Sequence, residues 1–290
     1  MFINILARLR MYWALIKSLQ TGLLLVTGLA GYASARCPTH SLQTLLAVAA
    51  SLFLAISGST VLNMVWDRDI DAKMKRACQR PLPSRRMSAT EGLILGLVMS
   101  IAGIGWAIIL SPLYGAVVFA GWFCDVVIYT MWLKRRTPWS IIGGGMAGAM
   151  PVLAGRVLGT GQVDLIGVLL ALSILLWIPT HMLTFGIKYA DQYRAAGVPV
   201  VPNTHGEWIT RLTLSLSTAA AAMAMLLAAW HISLPWNYFH LAAGLSVMLL
   251  GITLANTLHR SARLNFALYK FASLYMLGAM ALIMFGVTAS

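Results

Sequence analysis

The chain has 290 residues, of which 59% are hydrophobic and only 10% are charged, and its formal net charge is +13. A soluble domain carries roughly 25% charged residues, so this composition excludes an ordinary soluble protein. It also excludes nucleic acid as the partner that explains the positive charge, because the basic residues lie between apolar stretches and no soluble basic region remains. We therefore expect one domain, residues 1–290, embedded in a lipid bilayer.

Apolar stretches follow one another along the chain, each near the ~20 residues that a membrane-spanning helix requires. The basic residues before the first stretch are not followed by a convincing small-residue cleavage site, so we expect a retained span rather than a signal peptide. The pattern predicts an all-α polytopic membrane protein with about nine transmembrane helices, at residues 12–34, 43–66, 90–110, 113–133, 139–158, 163–187, 208–231, 236–257 and 265–288.

The distribution of Lys and Arg predicts how the chain is oriented. These residues are concentrated in the N-terminal segment and in the even-numbered connections, whereas the other connections contain only Arg36 and Arg156. Because cytoplasmic loops carry the excess of basic residues, we expect a cytoplasmic N-terminus and an external C-terminus. The two longest polar segments, at about 63–88 and 188–207, are then both cytoplasmic, and we expect them to form the active-site loops.

The few acidic residues are the clearest functional signal, since acids near membrane spans are costly and usually functional. Asn63, Asp67 and Asp71 are spaced i, i+4, i+8. On a helix such positions drift only about 80°, so they lie on one face, whereas Asp69 points about 200° away from Asp67. Oxygen ligands on one face suit Mg²⁺, which is commonly shared with substrate phosphates. Asp191, in the second polar segment, is a further candidate ligand.

Basic residues surround these acids and indicate a diphosphate rather than a bare metal. Carboxylates with a divalent ion and flanking cations hold a diphosphate, which carboxylates alone would repel. The simpler alternative is a solvated loop that only sets topology, but topology does not need acids. Lys134 and Arg135 are explained equally well by topology. The candidate diphosphate contacts are Arg68, Lys73, Arg76, Arg80, Lys134 and Arg135.

Three stretches resemble the UbiA superfamily of intramembrane prenyltransferases, in family order and over most of the chain. They are NMVWDRDIDAKMKRACQRPL at 63–82, YTMWLKRRTPWSIIGGGMAGAMP at 129–151 and WIPTHMLTFGIKYADQYRAAGVPVVPNTHG at 177–206. The NxxxD pattern marks only the superfamily. Three further features favour the branch that farnesylates heme. They are the continuation DRDIDAxMxR…RPL of the first stretch, the LKR-T pattern with its Gly-rich helix in the second, and the AAGVPVVP segment in the third.

The resemblance implies a fold, a reaction and a set of residues. The fold would be a helical bundle with a central cavity in a bacterial-type inner membrane. The reaction would be Mg²⁺-dependent transfer of farnesyl from farnesyl diphosphate to a vinyl group of heme B, with hand-off of the product to a heme A synthase or terminal oxidase. Asn63, Asp67, Asp71 and Asp191 would be the catalytic metal–diphosphate residues. His181, Tyr129 and Lys188 are the candidates for the acceptor pocket.

Two other functions remain open, the first of them because of departures from the family pattern. Thr180 and Met182 flank His181 where the family has proline and an aromatic residue, and Gln192 replaces a second acid. Another acceptor, an aromatic quinone precursor or a chlorophyll-type tetrapyrrole, is therefore the first alternative. A transporter is the second, although we find no inverted repeat.

Cys37, Cys78 and Cys124 are too far apart for metal-ligand spacing, and we expect no disulfide framework.

Overall fold

The computed structural model describes residues 2–36 and 41–289, and every regular element within these ranges is helical. Cys37 lies outside the described residues, and Cys78 and Cys124 are free thiols. The elements are α1 (Phe2–Leu15), α2 (Ser18–Ala33), α3 (Leu42–Trp66), α4 (Arg68–Ala72), α5 (Ala89–Leu110), α6 (Pro112–Phe123), a π-helical segment (Cys124–Leu133), α7 (Ser140–Thr160), α8 (Leu165–Lys188), α9 (Ala190–Ala195), α10 (Val201–Thr204), α11 (Gly206–His231), α12 (Trp236–His259) and α13 (Ala262–Thr288).

Eight helical stretches in the described part of the chain are long and apolar enough to cross a membrane. They correspond to the second through ninth predicted spans, with α6 and the π-helical segment forming one of them. The first predicted span, 12–34, is instead broken at Lys17, whose φ of 44° is left-handed, so that α2 has only 16 residues. The chain is a multi-pass integral membrane protein. The prediction of about nine spans is confirmed except that the first predicted span is the short helix α2.

The long helices form a closed bundle. α3 packs against α5, α5 against α6, α6 against α7, α7 against α8 and α8 against α11. The chain then returns through α12 and α13, and α13 packs back on both α8 and α2. Because lipid gives no hydrophobic drive for helices to associate, such contacts depend on close van der Waals packing. Large apolar side chains accordingly cover the outer surface, where Leu, Ile, Trp and Phe residues remain exposed.

Glycines let α2 and α7 approach each other closely. A Cβ atom added at Gly31 would lie 2.0 Å from the carbonyl oxygen of Val152, and one at Gly155 would lie 1.9 Å from that of Gly28. Neither position tolerates a side chain, because the obstructing atoms belong to the backbone. These small residues let the two backbones come into close contact, which packs the short helix α2 tightly against α7.

An ion pair closes the bundle at one end. Arg156 near the end of α7 donates to Asp164 at the start of α8, with an Nη2–Oδ2 distance of 2.6 Å, and also to the backbone oxygen of Ser34. Burial on its own would raise the pKa of Asp164, but hydrogen bonds from Arg156 and Gly167 lower it below its ordinary value. The pair therefore stays charged and ties α2, α7 and α8 together.

Candidate active site

The predicted carboxylates come together where α3 ends. The helix stops at Trp66, and Asp67 has a φ of −88° and a ψ of 3°, which turns the chain into the short helix α4. Asp67 and Asp71 are nonetheless only 4% and 7% exposed. Asp69 points away and is exposed, as the helical spacing predicts. The break at Asp67 therefore keeps the two outer aspartates on the buried side of the motif.

A π-helical segment forms the facing wall. Cys124–Leu133 is wound with the wider π turn, so that the backbone N–H of Lys134 donates to Tyr129, five residues earlier. Such turns are uncommon and are found frequently at functional sites. Asp125 in this segment accepts a hydrogen bond of 2.8 Å from the side-chain amide nitrogen of Asn63. The π-helical segment is thus joined directly to the first residue of the motif.

Two cations pair with the two buried carboxylates. The Nζ of Lys134 donates to Oδ2 of Asp67, and Nη1 of Arg80 lies 2.7 Å from Oδ2 of Asp71. Burial on its own would lower the pKa of Lys134, but Tyr129 and Asp67 raise it above its ordinary value. Lys134 is therefore a fixed cation beside the motif. Topology explained Lys134 and Arg135 equally well, but only Lys134 of these two contacts a buried carboxylate of the motif.

Unpartnered oxygens mark the position where a metal ion fits. The Oδ1 atoms of Asn63 and Asp67 are buried and have no hydrogen-bond partner. Leaving such an atom unsatisfied costs about 1–3 kcal/mol, and Mg²⁺ prefers ligands of this kind. In the described part of the chain no group of three acidic, histidine or cysteine side chains could hold a metal by itself.

Arg76 ties the first polar loop to the second. Its Nη2 donates to the hydroxyl of Tyr193 at 3.0 Å, and its backbone N–H donates to the side chain of Gln192. Its guanidinium also lies 4.8 Å from the ring centre of Phe185 and 5.5 Å from that of Tyr189. The two loops, predicted to share one side of the membrane, do meet at the same end of the bundle.

The other predicted polar residues of these loops are less closely involved. Asp191 is 95% exposed at the side chain, and its Oδ1 lies 3.3 Å from Nη1 of Arg194. Arg68 and Lys73 are exposed. Arg135 pairs with the outward-facing Asp69, where its hydrogen bonds hold the pKa of Asp69 below the usual range. These residues lie outside the group formed by Asn63, Asp67 and Asp71.

The three acceptor candidates occupy two different places. Tyr129 lines a narrow cavity of about 30 Å³ between the π-helical segment and α8 to α10, beside Lys134. His181 instead stacks between the rings of Trp177 and Tyr269, at centroid distances of 5.2 and 4.6 Å. Lys188 lies 4.0 Å from the ring centre of Phe266 at the surface. Only Tyr129 is therefore next to the carboxylate motif, while His181 and Lys188 line the contact between α8 and α13.

Lys17 is the site residue that the sequence analysis missed. It lies at the break between α1 and α2, half-buried, and is close enough to Arg80, Lys134, Asp71 and Asp125 for their charges to act on it. With it, three cations, Lys17, Arg80 and Lys134, lie among the three carboxylates Asp67, Asp71 and Asp125. A lone lysine five residues inside a predicted span is expensive in a membrane, and that cost was the signal available in the sequence.

Comparisons with known proteins agree on the family. The model of the UbiA prenyltransferase family matches residues 24–282. Protoheme IX farnesyltransferase of Pyrobaculum islandicum is 39% identical over 84% of this chain and 84% of its own length. A solved digeranylgeranylglyceryl phosphate synthase superposes with a TM-score of 0.81 at 18% identity, covering 98% of this chain and all of that one. A UbiA homologue from Archaeoglobus fulgidus bound to GPP and Mg²⁺ has a TM-score of 0.71 at 15% identity, covering 94% and 99%.

Proposed function

Because this chain belongs to the UbiA prenyltransferase family, we propose that it transfers a farnesyl group from farnesyl diphosphate to a vinyl group of heme B. The observation that carries the proposal is the buried pairing of Asp67 with Lys134 and of Asp71 with Arg80, beside the unpartnered oxygens of Asn63 and Asp67. The relative named protoheme IX farnesyltransferase, similar over most of this chain, supports the choice of acceptor.

Magnesium fits this group of residues. Asn63, Asp67 and Asp71 would hold the ion together with diphosphate oxygens, and Asp191 is the acid that the second loop contributes. A bound Mg²⁺ neutralises charge on the departing diphosphate. The UbiA homologue solved with GPP and Mg²⁺ supports a metal-dependent reaction for this fold.

The cations of the site bind and hold the diphosphate. Lys134 and Arg80 already lie against the carboxylates, and Lys17 and Arg76 extend the positive surface toward both loops. Fixed cations aimed at developing negative charge stabilise a transition state without reorganisation during the reaction. A diphosphate in the site would offer its oxygens to Lys134 and Arg80 in place of the carboxylates, whose oxygens would then be available to hold the metal. Arg68, Lys73 and Arg135 attract the anion from the outer rim.

The reaction breaks the bond between C1 of farnesyl and the diphosphate oxygen, and the bonding pair leaves with the diphosphate. The electrons of the heme vinyl group then form a new bond to C1. Water adds to the resulting cation and loses a proton, which leaves a hydroxyethylfarnesyl side chain. Apolar helices around the site exclude bulk water from the allylic cation, and Tyr129 beside Lys134 faces the reacting end of the donor.

We infer that the acceptor binds at the contact between α8 and α13. Heme is a flat, apolar ring system with acidic side chains, and the contact between α8 and α13 offers stacked rings next to a cation. His181 lies within the stack of Trp177 and Tyr269, and Lys188 is suited to an acceptor carboxylate. The site faces the cytoplasm of a bacterial-type cell, with the N-terminus inside and the C-terminus outside, and the product passes to a heme A synthase or terminal oxidase.

A competition between acceptors tests the proposal. Membranes that contain the protein receive labelled farnesyl diphosphate and Mg²⁺ with equal amounts of heme B, an aromatic quinone precursor and a chlorophyll-type tetrapyrrole. We expect the label to enter heme at least about tenfold faster than the other acceptors, a difference of about 1.4 kcal/mol in transition-state free energy. Prenylation mainly of another acceptor would overturn the choice of heme. Transport of farnesyl diphosphate without any product would favour the transporter.

A further inference from the structure

Asp125 has no step in the reaction, although it is an acid within a membrane span. It lies in the π-helical segment opposite α3, and Oδ2 of its carboxylate is 2.8 Å from Nδ2 of Asn63. An acid at this depth is expensive unless it is functional or paired, and here its partner, Asn63, belongs to the helix that carries the metal motif.

The chemistry of an asparagine amide explains what this contact does. The amide has one oxygen, which accepts hydrogen bonds and binds cations, and one NH₂ group, which only donates. A half-turn about the last side-chain bond exchanges the two, and only the oxygen can face a metal ion. The carboxylate of Asp125 accepts from Nδ2 of Asn63, and this leaves Oδ1 buried and without a partner.

We propose that Asp125 is a positioning residue that fixes the amide of Asn63 with its oxygen toward the metal–diphosphate site. This inference rests on the proposed function, because it assigns Asn63 to the metal. Residues that orient a ligand from behind typically contribute 10–100-fold to metal affinity. The π-helical winding is part of the device, since it sets Asp125 against Asn63 while Lys134, at the end of the same segment, contacts Asp67.

The test measures metal affinity without turnover. Purified protein in lipid nanodiscs binds radiolabelled farnesyl thiolodiphosphate, a donor analogue that does not react, over a series of Mg²⁺ concentrations. The Asp125→Asn side chain is nearly the same size and can still hydrogen-bond Asn63. Its own amide can rotate, however, so that it pairs with either orientation of the Asn63 amide. We expect its Mg²⁺ midpoint to rise about tenfold. Glu91→Gln, the same change in an acid bonded to Tyr12 away from the site, should leave the midpoint unchanged.

A double-mutant cycle shows whether the effect passes through Asn63. Asn63→Ala should raise the midpoint, and adding Asp125→Asn to it should raise it no further. An unchanged midpoint in Asp125→Asn would overturn the inference while leaving the proposed function intact, and so would an equal further rise in the Asn63→Ala background. If the wild-type protein binds the analogue equally well without metal, the metal role in the proposed function fails, and the inference fails with it.

An exchange variant covers the case in which Asp125→Asn does not fold. Asn63→Asp combined with Asp125→Asn keeps the net charge and the hydrogen bond, now donated from position 125. The carboxylate at position 63 presents an oxygen whichever way it turns, so we expect a midpoint no higher than that of the wild-type protein. A folded exchange variant whose midpoint is raised tenfold would contradict the positioning role.

Discussion

Replacing Asp67 or Asp71 by Asn is expected to lower the rate of prenyl transfer at least about 100-fold, because each change removes a charged oxygen from the proposed metal site. Both side chains are buried, and each holds one cation. The amide can still accept from Lys134 or Arg80, so the variants should fold and insert. The measurement is the initial rate of heme farnesylation at saturating substrates, with protein quantified in the same membranes.

Asp69→Asn is the matched control, because it makes the same change within the same short motif. The Asp69 side chain is 58% exposed, and its ion pair with Arg135 is at the surface. Exposed pairs typically contribute about 0–1 kcal/mol, so we expect a rate within about fivefold of the wild-type protein. Equal losses for Asp69→Asn and Asp67→Asn would mean that the motif acts as an undifferentiated acidic loop, and the assignment of a metal face would be wrong.

Gly31→Ala is expected to destabilise the bundle strongly, although it adds only one methyl group. The added Cβ would lie 2.0 Å from the Val152 carbonyl oxygen, so α2 and α7 must move apart. We expect the free energy of unfolding to fall by about 3 kcal/mol, the upper part of the usual range for overpacking. Titration with denaturing detergent in bicelles measures this quantity.

Gly22→Ala makes the same change on the same helix in open space, since nothing lies within 4 Å of a Cβ there. Alanine is the better helix former by about 1 kcal/mol, so this variant should be as stable as the wild-type protein or slightly more stable. If the free energy of unfolding falls equally in both variants, the close contact between α2 and α7 is not what holds α2 in the bundle.

Composition and residue spacing predicted the helical architecture well, because membrane spans are set by length and hydropathy. The outward direction of Asp69 followed from helical geometry alone. The break in the first span could not be predicted in this way, because Lys17 adopts a left-handed conformation without the glycine or proline that usually signals a break. The ion pair of Arg156 with Asp164 was also missed, because a topology count does not say which charges meet.

The site itself was predicted only in its local part. Asn63, Asp67 and Asp71 belong to one stretch, so the spacing of that stretch was informative. The contacts of Asn63 with Asp125 and of Asp67 with Lys134 join residues 62 and 67 positions apart, and they depend on how the π-helical segment is wound against α3. No periodicity in the sequence signals that winding. Tertiary register thus decided which of the candidate cations contact the carboxylates.

Metal-dependent farnesyl transfer to heme is tested most directly by an assay of the extracted hemes. Membranes containing the protein are incubated with heme B, farnesyl diphosphate and Mg²⁺, and the extracted hemes are separated and identified by mass. Our account predicts a new heme that carries the hydroxyethylfarnesyl group, which is lost when a chelator is added and restored by excess Mg²⁺. A heme fraction that remains unchanged while a known farnesyltransferase works in parallel would contradict it, as would a product that forms equally well in the chelator.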